Sequence, residues 1–327
     1  MPELGNLMTS DSTVETRPAT WKLLLAFATI YLVWGSTFLA IRIGVREVPP
    51  FLLASIRFLV AGLVLLLWMR GQGSPWPTRR EWASAALVAV LIFVGDYGLV
   101  FWAERRVPSG LTAVMLATIP LFMALAEIIF LGTQRLTARL TVALLVGLGG
   151  VGVLVSHSIG LGEEPINSRG AAALVIAACS WAGASVLLRK LPLPASKPMS
   201  SAAQMLVGGV WLAAISGLLG EFQGFDLRAV SQGAWLALAY LIVAGSIIAY
   251  TAYVWLLHHE SPTKVGTYAY VNPVIAVVLG YFLGGESMGL RTLLGTMLVL
   301  VSVIVITTTP AKKPVPARLE EAAQPAD

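Results

Sequence analysis

The sequence predicts an all-α integral membrane protein of ten transmembrane helices, arranged as two inverted repeats of five. Three observations carry that expectation: long apolar runs, scarce charge, and a residue pattern that recurs between the halves. Of 327 residues, 57% are hydrophobic and 12% charged, with mean hydropathy +0.80. A soluble domain carries about 25% charged residues, so this chain lacks the polar surface to solvate a water-facing shell. A bilayer span needs roughly 20 mainly apolar residues.

Hydropathy places the spans at 21–41, 51–69, 82–103, 111–131, 136–156, 170–189, 201–219, 233–257, 265–284 and 290–308. Inside hydrocarbon the backbone must satisfy its own hydrogen bonds, so such runs are helices; a barrel would show short alternating segments instead. Breakers mark the joints at Pro49-Pro50, Pro75, Pro108, Pro165, Pro192 and Pro262. The first 20 residues read as a polar cytoplasmic tail without a signal peptide's apolar core, and 309–327 as a disordered one.

Lys and Arg set the orientation. With the N-terminus inside, 14 of them fall in cytoplasmic segments and 7 outside, while Arg57 lies within a span. Both termini are therefore expected in the cytoplasm, with Arg42, Arg46, Arg105 and Arg106 arguing the other way. The net charge of +5 is spread thinly over the loops and forms no basic stripe, which speaks against nucleic acid. One cysteine, Cys179, excludes an intramolecular disulfide. His157 and the pair His258-His259 have no companion ligands, so neither a metal nor a cofactor is expected.

The halves repeat. Trp34/Trp181, Arg42/Arg189, Arg57/Gln204 and Gly62/Gly209 are each 147 positions apart. Trp82/Trp235, Trp102/Trp255, Pro120/Pro273 and Gly132/Gly285 are 153 apart, the change of six falling between Leu219 and Ser231. Repeat one covers 21–156 and repeat two 170–308. Five spans is an odd number, so the second half enters the bilayer from the other side. Secondary transporters use such inversion to present one midplane site to either face.

Several segments are similar to a known family: Trp34-Gly35-Ser36-Thr37-Phe38 with Ala40-Ile41-Arg42, Arg57-Phe58, Ile119-Pro120-Leu121, Asn272-Pro273-Val274 and Gly285-Glu286. In this order and spacing they resemble the EamA-type permeases of the drug/metabolite transporter superfamily, over about residues 20–308. The resemblance implies a ten-helix carrier in the bacterial inner (plasma) membrane. Its central cavity would be lined by spans one to four and six to nine, with spans five and ten peripheral. It also implies small-metabolite substrates such as amino acids, sugars, nucleotide-related metabolites or drugs, commonly moved outward. Gly132-Thr133-Gln134 departs from the Gly-Glu that the second repeat keeps at Gly285-Glu286, so no glutamate role carries over there.

Charges within spans cost about 2.5–3.5 kcal/mol on insertion scales and normally face protein or a water-filled cavity. Arg57 and Asp96 each lie about seven residues, roughly 10 Å, in from the outer ends of neighbouring spans. They are candidates for an ion pair or for a substrate subsite. Asp96 and Glu127 are the candidate coupling carboxylates. Trp34, Tyr97, Trp181, Tyr250, Tyr253 and Tyr268 are candidate cavity walls, suited to apolar bodies and, by cation–π attraction, to ammonium groups. Ser36, Gln204 and Asn272 are candidate polar contacts, Asn272 having a helix–helix hydrogen bond as its other reading. Pro120 and Pro273 are candidate paired hinges. Glycines of span five and the Gly280/Gly284 pair mark packing faces, compatible with a homodimer through span five or ten. A lipid-carrier flippase or a drug exporter shares this architecture. A membrane-embedded enzyme would need a nucleophile, base or metal constellation that the sequence does not bring together.

Overall fold

A computed structural model describes residues 18–131, 137–156, 167–188, 190–260, 265–266, 268–285 and 289–307, and these contain helices and no strand. In chain order the helices are α1 (Thr20–Glu47), α2 (Pro50–Gly71), α3 (Arg79–Glu104), α4 (Ser109–Phe130) and α5 (Ala138–Ser156). There follow α6 (Ser168–Leu187), α7 (Lys197–Leu218), α8 (Gln232–Leu256, with a last turn to His259), α9 (Tyr268–Gly284) and α10 (Leu290–Thr307). Each overlaps one predicted span. Six of them, α1 to α4, α7 and α8, are long and apolar enough to cross a membrane, and shorter apolar stretches lie in α5, α9 and α10. Their outer faces are apolar: Leu218, Phe282 and Leu283 are at least 73% exposed. The Gly132-Thr133-Gln134 departure, Glu286 and both tails lie outside the described residues.

Local chemistry explains the helix ends. Pro50 opens α2, where a missing amide costs nothing. Thr78 and Glu81 form a reciprocal capping box on α3. Ser196 and Ser231 cap α7 and α8 by accepting from Met199 N and Ala234 N. Helix α1 runs six residues past its apolar run because Arg42 is used inside the protein. Its guanidinium donates to the carbonyls of Glu104 and Val107, where α3 hands over to α4. That contact gives one of the outward-facing arginines a structural reason. At the same end, Glu221 just beyond α7 accepts from Leu52 N at 2.9 Å and caps α2. Glu47 at the end of α1 accepts from Ser231 N and Oγ, at 2.6 and 2.7 Å, at the start of α8.

The π-helical stretches were not predicted. Helices α3 and α8 widen to π-helix at equivalent stretches, Val90–Gly98 and Leu241–Tyr250, and α4 does so at its end, Glu127–Leu131. Helix α4 is interrupted by a turn at Ala117-Thr118, so Pro120 stands in the first turn of a new segment, where proline is tolerated. Pro273 instead lies inside the continuous α9. The equivalent prolines thus stand in different local structures.

The helices pair in a two-fold pattern. Helix α2 lies along α7 and α5 along α10; α1 packs on α8 and α9, as α6 does on α3 and α4; α4 meets α9. The set is unchanged when each helix is exchanged with the one five places away. The closest crossing shows the same reciprocity. A Cβ on Gly62 would stand 2.9 Å from Leu206 N, and one on Gly209 would stand 2.9 Å from Leu59 N. Glycine permits that backbone approach, and no flexible side chain could yield to a larger residue. Gly147 and Gly150 pack in the same manner on Ser302 and Val299, and Ser302 Oγ donates to Ala143 O at 2.6 Å. These small residues of α5 therefore meet α10 of the same chain.

Gly62→Ala is expected to cost about 1–3 kcal/mol through overpacking and to lower the melting temperature of purified protein. Gly149→Ala, whose Cβ would meet nothing within 4 Å, is the control and should leave it unchanged or slightly raised. Equal melting temperatures for the two variants would refute the crossing as drawn.

Candidate functional site

A cavity opens between the halves, lined from α1, α3, α4, α6 and α9, and holds about 570 Å3 of empty space including its open side. Its walls are aromatic. Trp34 and Trp181, the equivalent tryptophans, meet edge to face at 5.9 Å between ring centroids. Tyr268 stands edge-on to Trp34 at 5.2 Å, and Tyr97 edge-on to Trp181 at 5.9 Å. Tyr253 lies 5.0 Å from Trp34 and 5.6 Å from Trp181, bracing both rings. Aliphatic side chains such as Ile41, Val100 and Leu116 complete the lining.

The π-helical stretches aim the polar groups. Widening frees backbone carbonyls from the regular ladder, and side chains from α1 and α6 answer them. Trp34 Nε1 donates to Gly245 O at 3.3 Å, and Ser180 Oγ to Leu91 O at 2.9 Å. The first stretch carries Asp96 and Tyr97, both of which line the cavity. Asp96 is the only charged side chain in the lining, and its buried Oδ1 has no hydrogen-bond partner among the described residues. The stretch of α8 carries Ser246 and Tyr250.

Arg57 does not pair with Asp96. It is 1% exposed and absent from the cavity lining. Its Nε donates to Ser246 Oγ at 2.8 Å, and its guanidinium carbon lies 4.7, 5.1 and 5.7 Å from the Phe58, Tyr97 and Phe101 rings. Those ring faces supply the negative potential that a carboxylate would otherwise provide. The equivalent Gln204 occupies a parallel place: its Oε1 accepts from Tyr250 at 2.9 Å and its Nε2 donates to Ser200 at 2.9 Å. Arg57 beside Tyr97 and Gln204 beside Tyr250 are thus matched polar anchors behind the aromatic wall.

Of the predicted contacts, Trp34, Asp96, Tyr97, Trp181, Tyr268, Asn272 and Pro273 meet at the cavity. Tyr250, Tyr253, Arg57 and Gln204 stand behind it. Ser36 is turned away, bonded to Tyr240 at 2.5 Å and to the carbonyl of Val33; its neighbour Thr37 takes the lining place. The amide nitrogen of Asn272, oriented to satisfy its surroundings, donates to Tyr31 O and Tyr268 O at 3.1 and 3.3 Å. Pro120 and Pro273 cannot donate to the carbonyls four residues earlier, those of Leu116 and Ala269, and both of these residues line the cavity. The side chain of Glu127 lies outside the described residues. Ser246 and Thr37 escaped the sequence reading; Ser246 is the hydroxyl embedded in the apolar run Leu241–Ile248, which was its available signal.

Helices apolar on their outer faces, gathered around a partly enclosed aromatic cavity, are the frame of a membrane transport protein. The chain belongs to the EamA-like transporter family, whose profile matches residues 20–156 and again 168–308. It is 38% identical over 285 residues, 86% of this chain and 89% of the other, to the "uncharacterized inner membrane transporter YedA" of Escherichia coli K12. It is 28% identical over 84% of its length, and 88% of the other, to "protein PecM" of Dickeya dadantii. A chain of known crystal structure superposes with a TM-score of 0.58 at 23% identity, over 92% of this chain and 100% of that one, a likeness of fold alone. The family and the YedA relative are named as transporters, so the chain is a transporter rather than an enzyme, and that relative's name with the apolar helices supports a multi-pass protein of the inner membrane.

Tyr250→Phe leaves Gln204 Oε1 without its donor and is expected to cost about 1 kcal/mol within the membrane. Thermal unfolding of the purified variant measures it, and an unchanged midpoint would show the bond to be dispensable.

Proposed function

We propose that this protein is a secondary transporter of small metabolites, amino acids among them, working by alternating access through the central cavity. Residues 21–156 and 170–308 act as two inverted five-helix repeats, flanked by cytoplasmic tails at 1–20 and 309–327. The observation that carries the reading is the exchange symmetry of the helix contacts with the cavity at its centre. Trp34 faces Trp181 there, and Gly62 crosses against the helix of Gly209. An odd number of spans per repeat inverts the second, and inversion provides two equivalent closures about one site. Helices α5 and α10, paired with each other and absent from the lining, form the peripheral support. Pro120 and Pro273 serve as hinges at the cavity wall, and export is the working direction. Asp96 is the carboxylate placed to couple movement to a proton.

Reconstituted into liposomes, the protein should move at least one class from a panel of amino acids, sugars, nucleobases and organic cations, with and without a pH gradient. Replacing Cys179 by alanine and placing single cysteines near residues 17 and 318 should give labelling from the cytoplasmic side only. Absence of solute movement by folded protein would count against the carrier reading, and labelling of one terminus from outside would count against the repeat topology.

A further inference from the structure

The cavity is unequal in charge, and that inequality names a substrate class. Asp96 is the one charged group lining it, 4% exposed, with a buried oxygen that meets no donor among the described residues. The carboxylate lines the cavity with Trp34, Trp181, Tyr97 and Tyr268, and its buried Oδ1 gains no protein donor among the described residues. Such a group is stabilised by a cation that enters beside it. The rings that line the cavity with it are of the type whose faces hold ammonium groups. Three nearby donors are spent inside the protein, Trp34 on Gly245 O, Thr37 on Trp34 O, and the Asn272 amide on Tyr31 O and Tyr268 O, while the neutral Trp181 Nε1 has no hydrogen-bond partner among the described residues.

The opposite charge is withheld. Arg57, the natural partner for a substrate carboxylate, does not line the cavity, is bonded to Ser246, and is covered by Phe58, Tyr97 and Phe101. A zwitterion would find a partner for its ammonium end and no cation for its carboxylate. We infer that Asp96 is the binding subsite for an ammonium group. The preferred solute is an organic cation with an apolar or aromatic body, ahead of an amino acid or an organic anion. This rests on the carrier reading and deepens it, because it assigns the cavity's polar end to one charge. The aliphatic side, Ile41, Val100 and Leu116, receives the body of the solute.

Four probes of similar shape separate the alternatives: 2-phenylethylamine, phenylalanine, 3-phenylpropionate and 3-phenyl-1-propanol. Binding is read from tryptophan fluorescence of the full chain in detergent micelles, and exchange from counterflow in proteoliposomes. The amine is expected to bind at least about tenfold more tightly than the other three. Asp96→Asn should remove that preference, bringing the amine to the level of the alcohol measured on the same variant, and Asp96→Glu should retain most of it. Melting temperatures of both variants establish that the fold is kept; if D96N fails to fold, the amine-to-alcohol ratio of wild type and D96E decides. Equal binding of all four probes, or an amine preference that survives in D96N, overturns the subsite. Counterflow of phenylalanine or 3-phenylpropionate with no amine preference overturns it while leaving the carrier reading standing. No counterflow of any probe, alongside intact amine binding that depends on Asp96, keeps the subsite and removes the carrier reading.

Discussion

A chain surrounded by hydrocarbon must answer its backbone donors and acceptors from within itself, and this constraint organises the molecule. Regular helix meets it at no further cost. At several places where the helices depart from regularity, a side chain from elsewhere supplies a partner. Trp34 reaches a carbonyl of the π-helical stretch of α8, from α1, and Ser180 one of the stretch of α3, from α6. Arg42 closes the carbonyls at the α3–α4 junction, and Glu47 and Glu221 close amides at the starts of α8 and α2. Two of the departures, the π-helical stretch of α3 and the turn in α4, line the cavity. Irregular backbone is tolerated in a membrane where protein or water covers it, and at these two places the cavity and the irregular segment coincide.

Buried charge follows the same logic with two outcomes. Arg57 is held inside the molecule by one hydroxyl, on its Nε, and by three ring faces, while its buried Nη1 has no hydrogen-bond partner among the described residues. Asp96 lines the cavity, and its buried Oδ1 has no hydrogen-bond partner among them either. Tyr97 stands between them: its ring covers the guanidinium while it also lines the cavity with the carboxylate. The aromatic wall therefore separates a cation held among rings from a carboxylate at the cavity.

Much of this was legible in the sequence. Apolar runs located the helices, most of them to within a few residues, and the 147-residue offset matched Trp34 with Trp181 and Gly62 with Gly209. Trp34, Tyr97, Trp181 and Tyr268, candidates as aromatics in spans that the family resemblance makes cavity-lining, all line the cavity. What could not be read was which way a side chain turns where the helix changes pitch. The Arg57–Asp96 pair assumed regular helix, whereas the π-helical stretch of α3 carries Asp96 into the cavity and that of α8 brings Ser246 to Arg57. Ser36 and Thr37 are adjacent, and only the rotation of α1 against α8 decides which one faces the cavity. Hydropathy ended α1 too early because it treats Arg42 as a boundary, while the helix uses it as an internal donor.

The carboxylate caps described for the fold are crossed. Glu47 ends α1 and serves α8; Glu221 follows α7 and serves α2. All four helix ends lie at the same end of the bundle, so these contacts lash the first half to the second there. At the far end, Thr78 and Ser196 are capped from within their own segments, by Glu81 and by the serine itself. Parting the halves at the lashed end would strand amides that have no local substitute, whereas parting them at the other end would disturb neither cap and would break the exposed contact of Lys190 with the carbonyl of Phe130. The bundle is consequently polarised like a clasp, its crossed carboxylate caps gathered at one rim.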